Sequence, residues 1–300
     1  MFDASAQCPY NITVSVKLQL HRRHKASNRE RYDTSNFHLQ PILLFVAENC
    51  VRIEYPIQEV KGDFIMQNRY SGDLGDFSKL GLLRHLCQTG LSIGLNWYLV
   101  PNEDHNNDGM HTGYLSDHSF EACDPDLWKA LYPIAHGNRC IVALEETLDA
   151  KFYRDLLDFR GLSKPERLQR RDRWHHNALE CLKGCQIVCV DPDNGLMTKS
   201  AAGTPRSNKY VLPEELYSYY NSGSSVIYYQ HKARKPDQYY IDQHNALLSD
   251  FADASGIILK FRKTSLRYYC FIIRPEHQDI ISGSVGQFLS SSWGAFFTTL

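Results

Sequence analysis

The chain is expected to fold as an α/β domain with a mostly parallel sheet between helical layers and an antiparallel hairpin at its C-terminal end. Three observations lead there. From Tyr70 onward, short apolar runs alternate with segments of helical periodicity. Several of those runs stop abruptly in polar residues, and the last two lie too close together to hold a helix between them. Alternating strands and helices imply βαβ units whose sheet is covered on both faces, whereas adjoining strands pair as a hairpin.

Residues 1–65 form an N-terminal extension of different character. A polar, basic stretch (His21 to Lys25, then Asn28 to Asp33) precedes the apolar segment Ile42 to Ile57, and the extension reads as a partly disordered tail or small appendage. Residues 66–300 form the main domain. Phe77, Leu80, Leu83 and Leu86 recur at helical spacing and predict a helix over 76–88, stopped by Thr89-Gly90. Gly94 to Val100 reads as a buried strand that runs into the polar loop Pro101 to Gly109. Helices are expected over 119–132, 148–159, 165–182, 213–220 and 237–254. Strands are expected over 139–144, 186–190, 225–229, 257–262 and 267–273. Residues 282–292 are rich in Ser and Gly and are expected to be mobile. The whole is a three-layer, Rossmann-like order of elements.

Composition narrows the function classes. With 43% hydrophobic and 12% aromatic residues, 300 residues bury a substantial core. The 33 Lys and Arg against 34 Asp and Glu give no global field toward nucleic acid or anionic lipid, so such binding must come from local patches. The longest apolar run, Pro41 to Ala47, is far below the ~20 residues that span a bilayer, and no signal peptide is recognisable, so the chain is expected in the cytoplasm. Nine cysteines without a CxxC spacing suggest buried thiols rather than a disulfide framework or zinc ribbon.

Ligands of open α/β sheets bind beyond the carboxyl ends of the strands. Four expected strand ends carry unusual polar sets. Asp191-Pro-Asp-Asn-Gly195 is the most specific, because an apolar strand leading straight into two carboxylates and a carboxamide places costly groups at the sheet edge. Asn102 to Asp108 holds Asp104, His105 and Asp108, a residue mix that also suits a hydrated divalent cation. Glu145 or Glu146 at a strand end suits a ribose diol, and a helix N-terminal charge accounts for them equally well, while an Asx-rich turn is the alternative reading of 191–195. Gln230-His231 offers a base or phosphate contact. The cations Lys232, Arg234, Lys235, Arg262 and Lys263 cluster in sequence beside it, with tyrosines interleaved, and suggest nucleic-acid contact.

Tyr70-Ser-Gly-Asp-Leu-Gly-Asp-Phe-Ser-Lys79 ahead of a helix, the strand and polar loop after it, and the Asp-Pro motif at 191–192 resemble the class I S-adenosylmethionine-dependent methyltransferases. Within that superfamily the segment is similar to the ribosomal RNA adenine-N6 methyltransferases. The resemblance spans about residues 66–280. It implies that Asp73, Asp76, Lys79, Asn102 and Asp104 border the S-adenosylmethionine pocket, that Glu145 or Glu146 meets the ribose, and that Asp191, Pro192, Asp193 and Asn194, with His231, serve the target amine. The cofactor loop has one glycine here, and Asp193 and Asn194 stand where the family has a proline and a stacking aromatic. Those carboxylates leave two other readings open. One is a Mg2+-dependent nuclease or phosphoesterase using Asp104, Asp108, Asp191 and Asp193, and the other is a non-catalytic nucleotide- or partner-binding module.

Overall fold

The computed structural model describes residues 42–46, 49–53, 68–101, 111–137, 139–263 and 266–300. The chain divides into two compact units, residues 1–62 and 63–300. In the first, strands β1 (Ile42–Val46) and β2 (Asn49–Ile53) pair antiparallel.

The second unit is a mixed α/β structure around a seven-stranded sheet. In chain order its elements are α1 (Leu74–Cys87), β3 (Ile93–Asn96), α2 (His118–Glu121), α3 (Pro125–His136), α4 (Ile141–Glu145), β4 (Lys151–Tyr153) and α5 (Lys164–Cys181). Then follow β5 (Ile187–Val190), β6 (Gly195–Leu196), β7 (Tyr210–Val211), α6 (Pro213–Asn221), β8 (Ser225–His231) and α7 (Asp237–Leu248). The chain closes with β9 (Ser255–Phe261), β10 (Arg267–Ile273), α8 (Gln278–Ser290) and β11 (Phe297–Thr299). The strand order is β11-β9-β10-β8-β5-β3-β4. The β4, β3, β5 and β8 ladder is parallel, while β10 runs antiparallel to both β8 and β9, and β11 is antiparallel to β9.

Side-chain alternation shows that both faces of the sheet are covered. Ile187, Cys189, Ile227, Tyr269 and Phe271 join one core with α1, α3 and α8 residues, whereas Val188, Val190, Val226, Tyr228 and Tyr268 join a second with Trp174, Leu216 and Tyr240. Central strands buried on both sides read as continuous apolar runs, which is why β5 is so clear in the sequence. Helix α1 starts where the Asp73 carboxylate accepts from the backbone N–H groups of Gly75 (2.7 Å) and Asp76 (3.1 Å). Gly81 is required on this helix because a Cβ there runs into the Trp293 ring.

Several expectations are corrected. Residues 139–144 are not a strand: Ile141, Leu144 and Leu148 are buried at helical spacing while Val142 is 44% exposed, and the segment forms α4. The helix expected over 148–159 contains instead the three-residue edge strand β4, blunted by exposed Lys151. The single helix expected over 119–132 is two, because Asp124 caps a new start and Pro125 occupies its first turn. The Ser- and Gly-rich segment 282–292 lies largely in α8, where Ile281, Val285 and Phe288 make an apolar face that outweighs composition. The strand expected to reach Val100 ends at Asn96. Next to it, Tyr98 adopts φ 49°, a left-handed conformation costly for an aromatic residue. Finally, β11 lies outside the terminal hairpin, so β9 is not the sheet edge. Among the described residues no helix is long and apolar enough to cross a membrane. Among the described cysteines, Cys185, Cys189 and Cys270 are buried and Cys181 is exposed.

Candidate functional site

The carboxyl ends of β3, β5 and β8 meet the start of α1 and the start of β10 around a cavity of about 420 Å³. This is the edge where a parallel sheet leaves backbone groups and turn residues free for ligands. Asp73, Asp76, Lys79, Asp191, Pro192, Asp193, Asn194 and His231, all singled out from sequence, line it.

Lys79 is the hub. Its Nζ lies 2.5 Å from Asp191 Oδ2 and 3.1 Å from Asp76 Oδ1, and it sits 4.8 Å from the centre of the Trp97 ring. Burial opposes the Lys79 charge, but the Asp191 and Asp76 carboxylates outweigh it and raise the Lys79 pKa. Asp191 is pushed up to about 6 by burial, against the pull of Lys79. Its Oδ1 accepts no hydrogen bond from the described residues, and the side chain keeps 16% of its surface exposed. Asp73 is likewise raised, by burial and then by Asp76. Asp76 accepts from the Gly72 N–H through Oδ2 (3.0 Å).

The turn after β5 is held on both sides. The Asp191 N–H donates to the Asn96 carbonyl and the Asn194 N–H to the Lys209 carbonyl, each at 3.0 Å. Lys209 Nζ stands 3.6 Å from Asp193 Oδ2. Across the cavity, buried Arg267 lies 5.9 Å from the centre of the Tyr229 ring, and Gly75 leaves room for its guanidinium where a Cβ would overlap it. The Tyr229 hydroxyl is 3.5 Å from His231 Nδ1.

The glutamates after α4 do not join the site. Glu145 ends a helix, is buried, and accepts from Trp97 Nε1 (2.9 Å) and Arg154 Nε (3.0 Å), while Glu146 is exposed. Burial raises the Glu145 pKa. The strand beside β3 ends instead in Arg154 and Asp155, so the expected ribose acceptor is misplaced by the swapped helix and strand. Asn102, Asp104, His105 and Asp108 lie outside the described residues. The segment directly after β3 is Trp97 to Pro101 rather than a glycine-rich loop.

Sequence reading missed Ser71, Trp97, His111, Lys209 and the cavity roles of Tyr229 and Arg267. Arg267 opens β10, and its pairing opposite His231 brings it inside. Lys232, Arg234 and Lys235 follow β8, and Arg262 and Lys263 follow β9, so they share the sheet edge with the cavity. Lys232 pairs with Asp237 at 3.4 Å, whereas Arg234, Lys235, Arg262 and Lys263 are exposed. Among the described residues no group of three or more His, Cys, Asp or Glu side chains is placed to hold a metal ion.

No protein-family model matches the chain, and no curated protein matches it. Among solved structures it is similar to protein LPL1258 from Legionella pneumophila str. Philadelphia 1, of family DUF519, with 8% identity over 76% of this chain and 96% of that one and a TM-score of 0.40. A likeness that distant assigns no chemistry.

Proposed function

We propose that this protein is a Rossmann-like, S-adenosylmethionine-dependent methyltransferase that modifies an amine of nucleic acid. The observation that carries the reading is the Asp191-Pro192 turn at the end of β5, facing the Asp73–Lys79 start of α1 across one cavity. The strand order supports it: β10 enters antiparallel between β8 and β9, the closing hairpin expected of the methyltransferase resemblance.

The residues present fit the cofactor. The cavity falls in the usual range for small-molecule sites. Ser71 lines it, is 1% exposed, and has an Oγ without a hydrogen-bond partner among the described residues, an acceptor and donor awaiting a ligand. Ser71, Asp73 and Asp76 would hold the cofactor's cationic amino-acid portion beside Trp97. When bound, S-adenosylmethionine supplies an electrophilic methyl group. The chain's own task is then to present the amine. The open Oδ1 of Asp191 accepts one N–H of the target, and the Pro192 carbonyl, which accepts no hydrogen bond from the described residues, takes the second. Lys79 holds Asp191 from behind through Oδ2. Positioning of this kind supplies much of the rate enhancement in group transfer. The exposed cations at the same edge neutralise phosphates of the substrate.

The test is transfer of a labelled methyl group from S-adenosylmethionine to bulk RNA or single-stranded DNA by wild type, Asp191→Asn and Asp191→Ala. Incorporation by wild type that drops at least 100-fold in both variants is expected. Equal incorporation in all three proteins overturns the assignment of Asp191.

A further inference from the structure

We infer that Gln230 is a positioning residue that locks the Asp191–Gly195 turn against β8, an inference resting on the role given to Asp191 above. Gln230 ends β8 with its side chain buried, 8% exposed. Its Oε1 accepts from the Leu196 N–H at 2.9 Å, and its Nε2 donates to the carbonyls of Asn194 and His231, each at 3.0 Å. The carboxamide thereby uses its acceptor and its donor group together, a pattern that neither a carboxylate nor an apolar side chain of equal length can copy.

Gly195 is the matching half of the device. Its φ of 97° lies in the region that favours glycine, and a Cβ there runs into the Gln230 carboxamide. The missing side chain lets the amide lie flat on the turn. From the other flank the turn is tied by β6 pairing with β7, by the Met197 N–H donating to the Val211 carbonyl at 2.9 Å and by Lys209 Nζ at 3.6 Å from Asp193 Oδ2. Asp193 and Asn194 are therefore stretched between two anchors, and Gln230 belongs to the one that also carries Tyr229 and His231. It fixes the distance between the Asp191 side of the cavity and the β8 side.

The variants are Gln230→Met, which removes all three bonds at nearly constant volume, Gln230→Glu, which keeps the acceptor for Leu196 and loses both donors, and Gly195→Ala, which attacks the clamp from its other half. Each is measured for amide hydrogen exchange over 194–197, for S-adenosylmethionine Kd by calorimetry, and for kcat and KM of methyl transfer at temperatures well below its Tm. Exchange over 194–197 at least 10-fold faster in Gln230→Met is expected, with kcat down at least 30-fold, cofactor Kd and KM within 3-fold of wild type, and Gln230→Glu intermediate. Exchange over 194–197 within 2-fold of wild type in folded Gln230→Met, or in Gly195→Ala if the first does not fold, overturns the clamp. Faster exchange with unchanged kcat removes its positioning role. Should wild type bind no S-adenosylmethionine, the methyltransferase reading fails by itself, and exchange over 194–197 still decides whether the clamp exists.

Discussion

The Arg171–Glu215 pair and the Lys79–Asp191 pair lie on opposite faces of the sheet, near the same strand ends; the first is buried, and in the second Lys79 is buried while Asp191 keeps 16% of its side chain exposed. Glu215 is saturated: it accepts from Arg171 Nε and Nη2 (2.6 and 2.7 Å), from the Tyr98 hydroxyl (2.9 Å) and from the Leu212 N–H (2.9 Å). Arg171 also donates through Nη1 to the Ser207 carbonyl and through Nη2 to the Tyr210 carbonyl. Burial pushes Glu215 up, but Arg171 more than offsets this and its pKa is lowered. Among the described residues the Asp191 side chain is bonded by Lys79 alone, through Oδ2, and its pKa is raised. One network is closed and fastens strained Tyr98 to the segment carrying Lys209, and the other, among the described residues, faces a cavity. A partly exposed carboxylate with a raised pKa that faces a cavity is a candidate functional group, whereas a fully hydrogen-bonded buried pair serves as scaffold.

The largest effect that sharpens this contrast is on stability. Glu215→Gln leaves Arg171 buried without its counter-charge and should cost about 3–5 kcal/mol by chemical denaturation, because breaking one half of a buried pair strands the other. Asp191→Asn leaves Lys79 its Asp76 partner and should cost far less. Equal losses in the two variants would erase the distinction between scaffold and site.

Next in size is opposite pH dependence. Asp191 titrates at about 6 when folded against 3.8 ordinarily, so the folded state holds a proton that the unfolded chain has lost. Its contribution to stability therefore falls as pH rises from about 4 to about 6. Glu215 is depressed below 4.5, so its contribution is present above that value and is lost as pH falls through its folded pKa. Urea midpoints across pH 3 to 8 should show Asp191→Asn gaining on wild type between about pH 4 and 6 and level beyond. A gain that instead grows toward acid pH contradicts the raised Asp191 pKa. In the proposed reaction the ionised Asp191 is the acceptor, so methyl transfer should rise through the same interval.

The smallest effect concerns the exposed edge. Arg234→Ala and Lys263→Ala should each weaken oligonucleotide binding modestly at low salt and reduce the salt slope by about one ion per removed phosphate contact. Unchanged slopes would confine substrate contact to the cavity.

Much of this arrangement was legible in the sequence because it depends on local signals. The apolar run Ile187 to Val190 with its Asp-Pro-Asp-Asn-Gly stop, the helical spacing of Phe77, Leu80, Leu83 and Leu86 in α1, and the hairpin of β9 and β10 each announce themselves within a few residues. The stretch 139–159 was misread because the apolar run Ile141 to Leu144 of α4 looks strand-like in a short window, and because β4 owes its conformation to pairing with β3 rather than to its own residues. Glu145 was thereby placed at a strand end it does not occupy. Arg267 and Gln230 acquire their places only through the β8–β10 register and the return of the chain at β6, contacts no single segment encodes.

Isothermal titration of the wild-type protein with S-adenosylmethionine, alongside Asp76→Ala and Asp191→Asn, tests the central claim most directly. Saturable binding by wild type, weakened at least 10-fold in Asp76→Ala and nearly unchanged in Asp191→Asn, is the predicted result. Absence of binding by folded wild-type protein at millimolar cofactor would contradict the methyltransferase assignment.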